Sequence, residues 1–91
     1  MSDGLPPLNY AIIKLFMDGK SRCAEDVAAE LAADYRGHRL LAIPAIDEAL
    51  MTAKENGLLD EARFELSDDA GIRVFYRMTD YGCDMVNRYL V

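Results

Sequence analysis

This 91-residue chain has two cysteines, one histidine and no apolar run of membrane-spanning length. Each shortage removes a class of chemistry. Cys23 and Cys83 stand sixty positions apart, which offers neither a metal knuckle nor a redox CxxC pair. They read as two reduced thiols in or near a cytosolic core. With His38 as the one histidine, no histidine cluster can hold a transition metal, and no cysteine lies near it to be activated. No metal, cofactor or catalytic residue is expected, because paired carboxylates, a nucleophile with its base and a phosphate loop are all missing.

No stretch approaches the roughly 18 apolar residues that a membrane span needs. The start, MSDGLPPLNY, lacks a basic region leading into an apolar one, so a cytoplasmic protein is expected. Repeats, low-complexity tracts and Gly/Ser linkers are missing too, and a chain this short supports one core, so 1–91 reads as one domain. Cations are also scarce. Ten Lys and Arg face sixteen Asp and Glu, a net charge of −6, which disfavours non-specific binding to nucleic acid.

What is present is a clear order of periodicities. Leu8, Ala11, Ile12, Leu15 and Phe16 form a helical stripe, giving a helix at about 8–18. Tyr10, Ile13 and Met17 make a second stripe that needs its own cover. A second helix, about 23–35, carries Glu25 and Asp26 where the helix dipole favours carboxylates, and Gly37 stops it. The third, about 44–56, takes Pro44 in its first turn, buries Ile46, Ala49, Leu50 and Ala53, and ends at Gly57.

The period then changes from helical to alternating. Strands are expected at about 62–67 and 72–78, joined by Asp69-Ala70-Gly71 with Gly71 left-handed. This loop would set Leu66 opposite Val74 and Phe64 opposite Tyr76 on the inward face. Arg63 would oppose Arg77, Arg73 would oppose Ser67, and Phe75 would be exposed. Thr79 or Asp80 caps a last helix, about 80–90, with Met85, Val86, Tyr89 and Leu90 inward.

Three helices, a hairpin and a closing helix predict an α+β, mostly helical, winged-helix fold. Two stretches resemble PadR-type transcriptional regulators in particular. IPAIDEALMTAKENGLL is similar to their third helix, with its L-x-x-L-x-x-x-G-L ending; Leu50, Gly57 and Leu58 match, and Ala53 replaces a leucine. VFYRMTDYG resembles the pattern Y-x-L-T-x-x-G, matching at Tyr76, Thr79 and Gly82, with Met78 for leucine. The chain departs from the pattern where DNA would be read. Ala45-Ile46-Asp47 stands in place of Thr-Ile-Tyr, and the wing tip is Ser67-Asp68-Asp69-Ala70-Gly71.

The resemblance implies a homodimeric regulator binding double-stranded DNA, third helix in the major groove and wing alongside. Phosphate contacts would fall to Lys20, Arg22, Arg36, His38, Arg39, Thr52, Lys54, Arg63, Arg73 and Arg77. Asp47 or Glu48 could accept from a cytosine amino group once phosphates fix the register. The rival expectation is an acidic protein-interaction or dimerisation module. Its surface would be the stripe of Tyr10, Ile13 and Met17 with Tyr81, Met85 and Tyr89 of the last helix, together with exposed Phe75 and Met51. Cover of that stripe by the last helix of the same subunit is the competing explanation.

Overall fold

The computed structural model describes residues 8–33, 42–67 and 71–90. Helix α1, Leu8–Leu15, tightens into a 3-10 turn at Phe16–Asp18. Helix α2 is Ala24–Leu31 and α3 is Ile43–Glu55; the expected stop at Gly37 lies outside the described residues. Strands β1, Leu59–Ser67, and β2, Gly71–Met78, form the antiparallel wing, and α4, Asp80–Met85, continues as a π-type turn, Val86–Leu90. This is a winged helix, as the order of periodicities implied.

The three helices meet around Ile12 and Phe16 of α1, Val27 and Leu31 of α2, and Ile46, Leu50 and Ala53 of α3, all buried. Leu59 and Tyr76 close the core from the base of the wing, and Val86 closes it from the last helix. Fully burying such side chains stabilises the fold by about 1.5–3 kcal/mol each. Local signals fix the helix ends. Asp26 accepts a hydrogen bond from the Cys23 N–H at 3.2 Å, tying off a donor at the start of α2. Gly57, at φ +84°, turns the chain out of α3 in a conformation that side chains resist.

The second motif, YRMTDYG, proves to be a joint. The Thr79 hydroxyl accepts from the Gly82 N–H at 2.8 Å and donates to the Gly57 carbonyl at 2.7 Å. The Thr79 N–H reaches the Leu58 carbonyl at 3.0 Å. One residue therefore caps α4 and pins it to the turn after α3. Thr79→Val is expected to lower stability by about 1–2 kcal/mol in urea denaturation; an unchanged midpoint would show that the cap contributes nothing.

The wing follows the expected alternation of faces but a different register. Leu66 pairs with Ile72 and Phe64 with Val74, not with Val74 and Tyr76. The cause is a turn that closes one position earlier on each strand, since Ser67 already pairs with Gly71; separately, an irregularity between Glu61 and Arg63 accommodates the extra residue Ala62 further down β1. Gly71 does take a left-handed φ of +80°. Arg63 consequently faces Phe75 instead of Arg77, and Arg73 faces Glu65 instead of Ser67.

Candidate partner-binding surfaces

Arg22 sits between α1 and α2, in a one-residue bridge that adds a third, minimal strand beside β2. Its N–H meets the Tyr76 carbonyl at 2.9 Å, and the Tyr76 N–H returns to the Arg22 carbonyl at 2.8 Å. The chain reversal turns its side chain inward, leaving the residue 8% exposed. Its guanidinium donates to both Asp18 oxygens at 2.9 and 2.7 Å, to Glu30 at 2.8 Å and to the Leu15 carbonyl at 2.9 Å. It also lies over the Phe16 ring. These bonds hold the Asp18 carboxyl well below the usual carboxylate range and push the guanidinium still higher. Arg22 was expected on the surface because an arginine beside an exposed turn is normally solvated; here the ends of two helices meet around it.

The outer face of α3 is as acidic as its sequence. Asp47, Glu48, Met51, Thr52, Lys54 and Glu55 are exposed. Lys54, the lone cation among them, is paired with Glu61 of the wing at 3.3 Å. The wing arginines are similarly engaged. Arg63 reaches Glu65 at 3.1 Å and Ser21 at 2.9 Å, and stacks 3.8 Å above the Phe75 ring. That stacking, not exposure, is the fate of Phe75, which is 6% exposed. Arg73 lies 3.5 Å from Glu25 of α2. Lys20 and Arg77 are exposed, and neither forms an ion pair among the described residues. Arg36, His38 and Arg39 lie outside the described residues.

The second stripe of α1 is largely covered within the subunit. Ile13 is buried, Tyr10 and Met17 are half-buried, and Lys14 lies over the Tyr10 ring. On α4, Tyr81 is exposed and Met85 half-buried; the Tyr89 side chain lies outside the described part.

Two apolar features were not expected. The core-side face of the wing outruns the core. Val74 and Met78 pack against it, but Phe64, Leu66 and Ile72 project beyond it at 59%, 89% and 63% exposure. Alternation in sequence shows which residues share a face, but not how far along a strand the core extends beneath it. Between α1 and α3 runs an open groove of about 420 Å³, floored by Ile12, Ile13, Ala53 and Leu58 and edged by Glu48 and Thr52. Ala45, Ala49 and Ala53 leave it room, since an alanine fills less of a helix–helix gap than a leucine.

Cys23 is buried, and desolvation raises its thiol pKa, so it stays protonated near neutrality. Among the described residues no group of three or more His, Cys, Asp or Glu side chains could hold a metal ion. No described helix is long and apolar enough to cross a membrane.

A chain with this element order, a two-stranded wing and a closing helix belongs to the winged-helix class of folds. Its architecture is similar to that of a PadR-like transcriptional regulator from Bacillus cereus strain ATCC 14579. The crystal structure of that protein aligns over 88% of this chain and 74% of its own, with a TM-score of 0.65 and 16% identity. At that identity the likeness shows the fold alone. No family model and no curated protein matches the sequence.

Proposed function

We propose that this protein is a regulator-type winged helix that works through contacts with protein instead of reading duplex DNA. The observation that carries this is the charge on its would-be DNA face. Phosphate binding draws its free energy from cations that displace condensed counterions. An arginine already held by a carboxylate must give up that partner first, so little is gained. Arg22, Arg63, Arg73 and Lys54 are all held in this way. The helix that would enter the major groove presents Asp47, Glu48 and Glu55, each repelled by the phosphates on either side. Its exposed Met51 and the bare wing face supply the apolar contact area that protein interfaces use. Salt-titrated binding to a random duplex pool is expected to show no affinity beyond weak non-specific binding. Tight binding with a steep salt dependence would overturn this assignment.

A second reading is favoured by the shared architecture with a PadR-like transcriptional regulator. In it a cytoplasmic homodimer joined through Tyr10, Ile13 and Met17 with Tyr81, Met85 and Tyr89 binds double-stranded DNA. Lys20, Arg77, Arg36, His38 and Arg39 carry the phosphate contacts, and Thr52 and the acidic residues of α3 meet the bases. Under this reading Arg36→Ala combined with Arg39→Ala weakens binding evenly across sequences, and Tyr10→Glu or Met17→Glu separates the subunits. Under the protein-contact reading the two arginine changes alter nothing, whereas Tyr10→Glu or Met17→Glu abolishes self-association or partner capture while the monomer stays folded.

A further inference from the structure

The wing has one open backbone edge. Among the described residues β2 is bridged on its far side by Arg22, while no strand lies beside the outer edge of β1. We propose that a second copy of this chain closes that edge: the two β1 strands pair antiparallel about a twofold axis at Phe64, making one four-stranded ribbon. This rests on the protein-contact reading above and divides its contacts, with partner capture at the α1 stripe and self-association at the wing.

The backbone fixes which groups are free. The Tyr76 N–H and carbonyl both bond to Arg22, so they point away from β1. Backbone groups alternate in direction along a strand, so those of Val74 and Ile72 point the same way. Their opposite numbers on β1 are Phe64 and Leu66. In an antiparallel ladder the N–H and carbonyl groups of such a pair both face outward, so those of Phe64 and Leu66 leave the open edge of β1. An edge of this kind is a template for another strand, and the lysines and prolines that commonly guard one are missing from β1.

Side chains then select the partner strand and its register. Residues with outward groups must pair with each other, which leaves few ways to set β1 on β1. Phe64 against Leu66 puts Glu65 on Glu65, and Phe64 against Ala62 puts Arg63 on Arg63; like charges directly opposite are unfavourable. Leu66 on Leu66 carries the pairing beyond Ser67, where β1 ends. Phe64 on Phe64 remains. There Arg63 of each copy faces Glu65 of the other, and the two Phe64 rings meet across the axis as a cross-strand aromatic pair. Arg63 keeps its own Glu65, 3.1 Å away, so no guanidinium surrenders a carboxylate. Each Arg63 stands between two carboxylates and each Glu65 between two guanidinium groups. The contact is isologous, so it closes at two copies.

The helices do not obstruct this pairing. Five residues separate Leu59, at the base of β1, from Phe64. At about 3.3 Å per residue the two wing bases lie on the order of 30 Å apart, with the helical bodies at opposite ends of the ribbon. The irregularity at Ala62 keeps the ladder short, and a net charge of −6 on each copy opposes association. The pair is accordingly weak and concentration-dependent, in the class of interfaces below about 1,200 Å².

The test is sedimentation equilibrium of the full chain, without DNA, up to millimolar concentration. Wild type is expected to pass from monomer to dimer and no further, and Tyr10→Glu to leave that dimer intact. Glu65→Arg gives each strand two cations and Arg63→Glu gives it two anions, so each alone should weaken dimerisation about 10-fold or more. Mixed in equal amounts, the two variants should form a heterodimer as tight as the wild-type dimer, because every facing pair is again opposite in charge. Phe64→Pro removes an N–H that points out of the edge, so the copy should fold while pairing is lost. Arg63 also stacks on Phe75, so melting curves accompany each variant; should Arg63→Glu melt early, Glu65→Arg and Phe64→Pro decide the matter. A wild type that stays monomeric would overturn the proposal, as would Glu65→Arg or Phe64→Pro dimerising like wild type, or two folded charge variants that fail to pair. A dimer broken by Tyr10→Glu but not by Glu65→Arg would also overturn it, moving self-association to the α1 stripe and leaving the protein-contact reading in place. Tight, salt-sensitive duplex binding would overturn that reading instead, so the two failures can be told apart.

Discussion

Gly82→Ala is expected to destabilise the protein by about 3 kcal/mol, near the upper end of overpacking costs. A Cβ at this position would overlap the Leu58 carbonyl oxygen and come within 3.0 Å of the Leu58 carbonyl carbon and Cα. All of these are backbone atoms, so no side-chain rotation can relieve the contact. Helix α4 would have to lift off the turn that follows α3, stretching the hydrogen bonds of the Thr79 hydroxyl and unseating Val86 from the core. For a domain of this size the loss lowers the melting temperature by more than about 10 °C. Gly57→Ala is the useful comparison. Its added Cβ would meet only the Tyr81 ring at 3.6 Å, so its cost is about 1 kcal/mol and comes from the left-handed φ. Thermal melts of the two variants should rank in that order. Equal, small losses would mean that the last helix is not seated where it is described.

The second large effect is expected at Arg22. Arg22→Ala removes four hydrogen bonds at once and leaves the Leu15 carbonyl without its donor. Losing one partner of a fully buried ion pair costs about 3–5 kcal/mol. Here Asp18 and Glu30 are 40% and 42% exposed and can rehydrate, so a loss of about 2–3 kcal/mol is expected. Arg22→Lys should recover little of it, because a single ammonium cannot serve a bidentate carboxylate, a second carboxylate and a carbonyl together. The pH dependence supplies an independent signature. The Arg22 hydrogen bonds, with help from the Lys20 N–H, hold Asp18 well below its ordinary value of 3.8. A carboxylate with a lowered folded pKa contributes all its stability above the unfolded value. It loses that contribution as the pH falls from there toward the folded value. Wild type should therefore lose stability below about pH 4 more steeply than Asp18→Asn or Arg22→Ala. Urea denaturation between pH 3 and 7 measures this, and parallel curves for the three proteins would contradict the assigned role.

The sequence carried the architecture because each element has a local cause. Helical spacing of Ile12, Phe16, Ile46 and Leu50 places them in one core, and alternation through β2 puts Tyr76, Val74 and Ile72 on one face. The motif at Tyr76, Thr79 and Gly82 was legible as a pattern, and its reason became visible only in three dimensions, as a cap and a close backbone approach. Register was lost because the run Ser67-Asp68-Asp69-Ala70-Gly71 consists of residues that all suit a turn, so nothing in it announces that the strands close at Ser67 and Gly71 and not one position later. The surfaces were harder still. Whether an arginine faces water depends on what folds back against it, so Arg22 and Arg63 read alike in sequence yet end in different environments. Phe64 and Leu66 were assigned to the correct face, but that face extends past the helices that should cover it.

We propose that an acidic third helix and the pairing of Arg63 and Arg73 with carboxylates keep this winged helix from duplex DNA. Titrating the protein into a labelled random duplex pool, from low to physiological salt, tests it most directly. The account predicts weak binding at low salt that vanishes as salt is added, unchanged by Arg77→Ala or Lys20→Ala. A tight complex that persists at physiological salt and is weakened by those substitutions would contradict it.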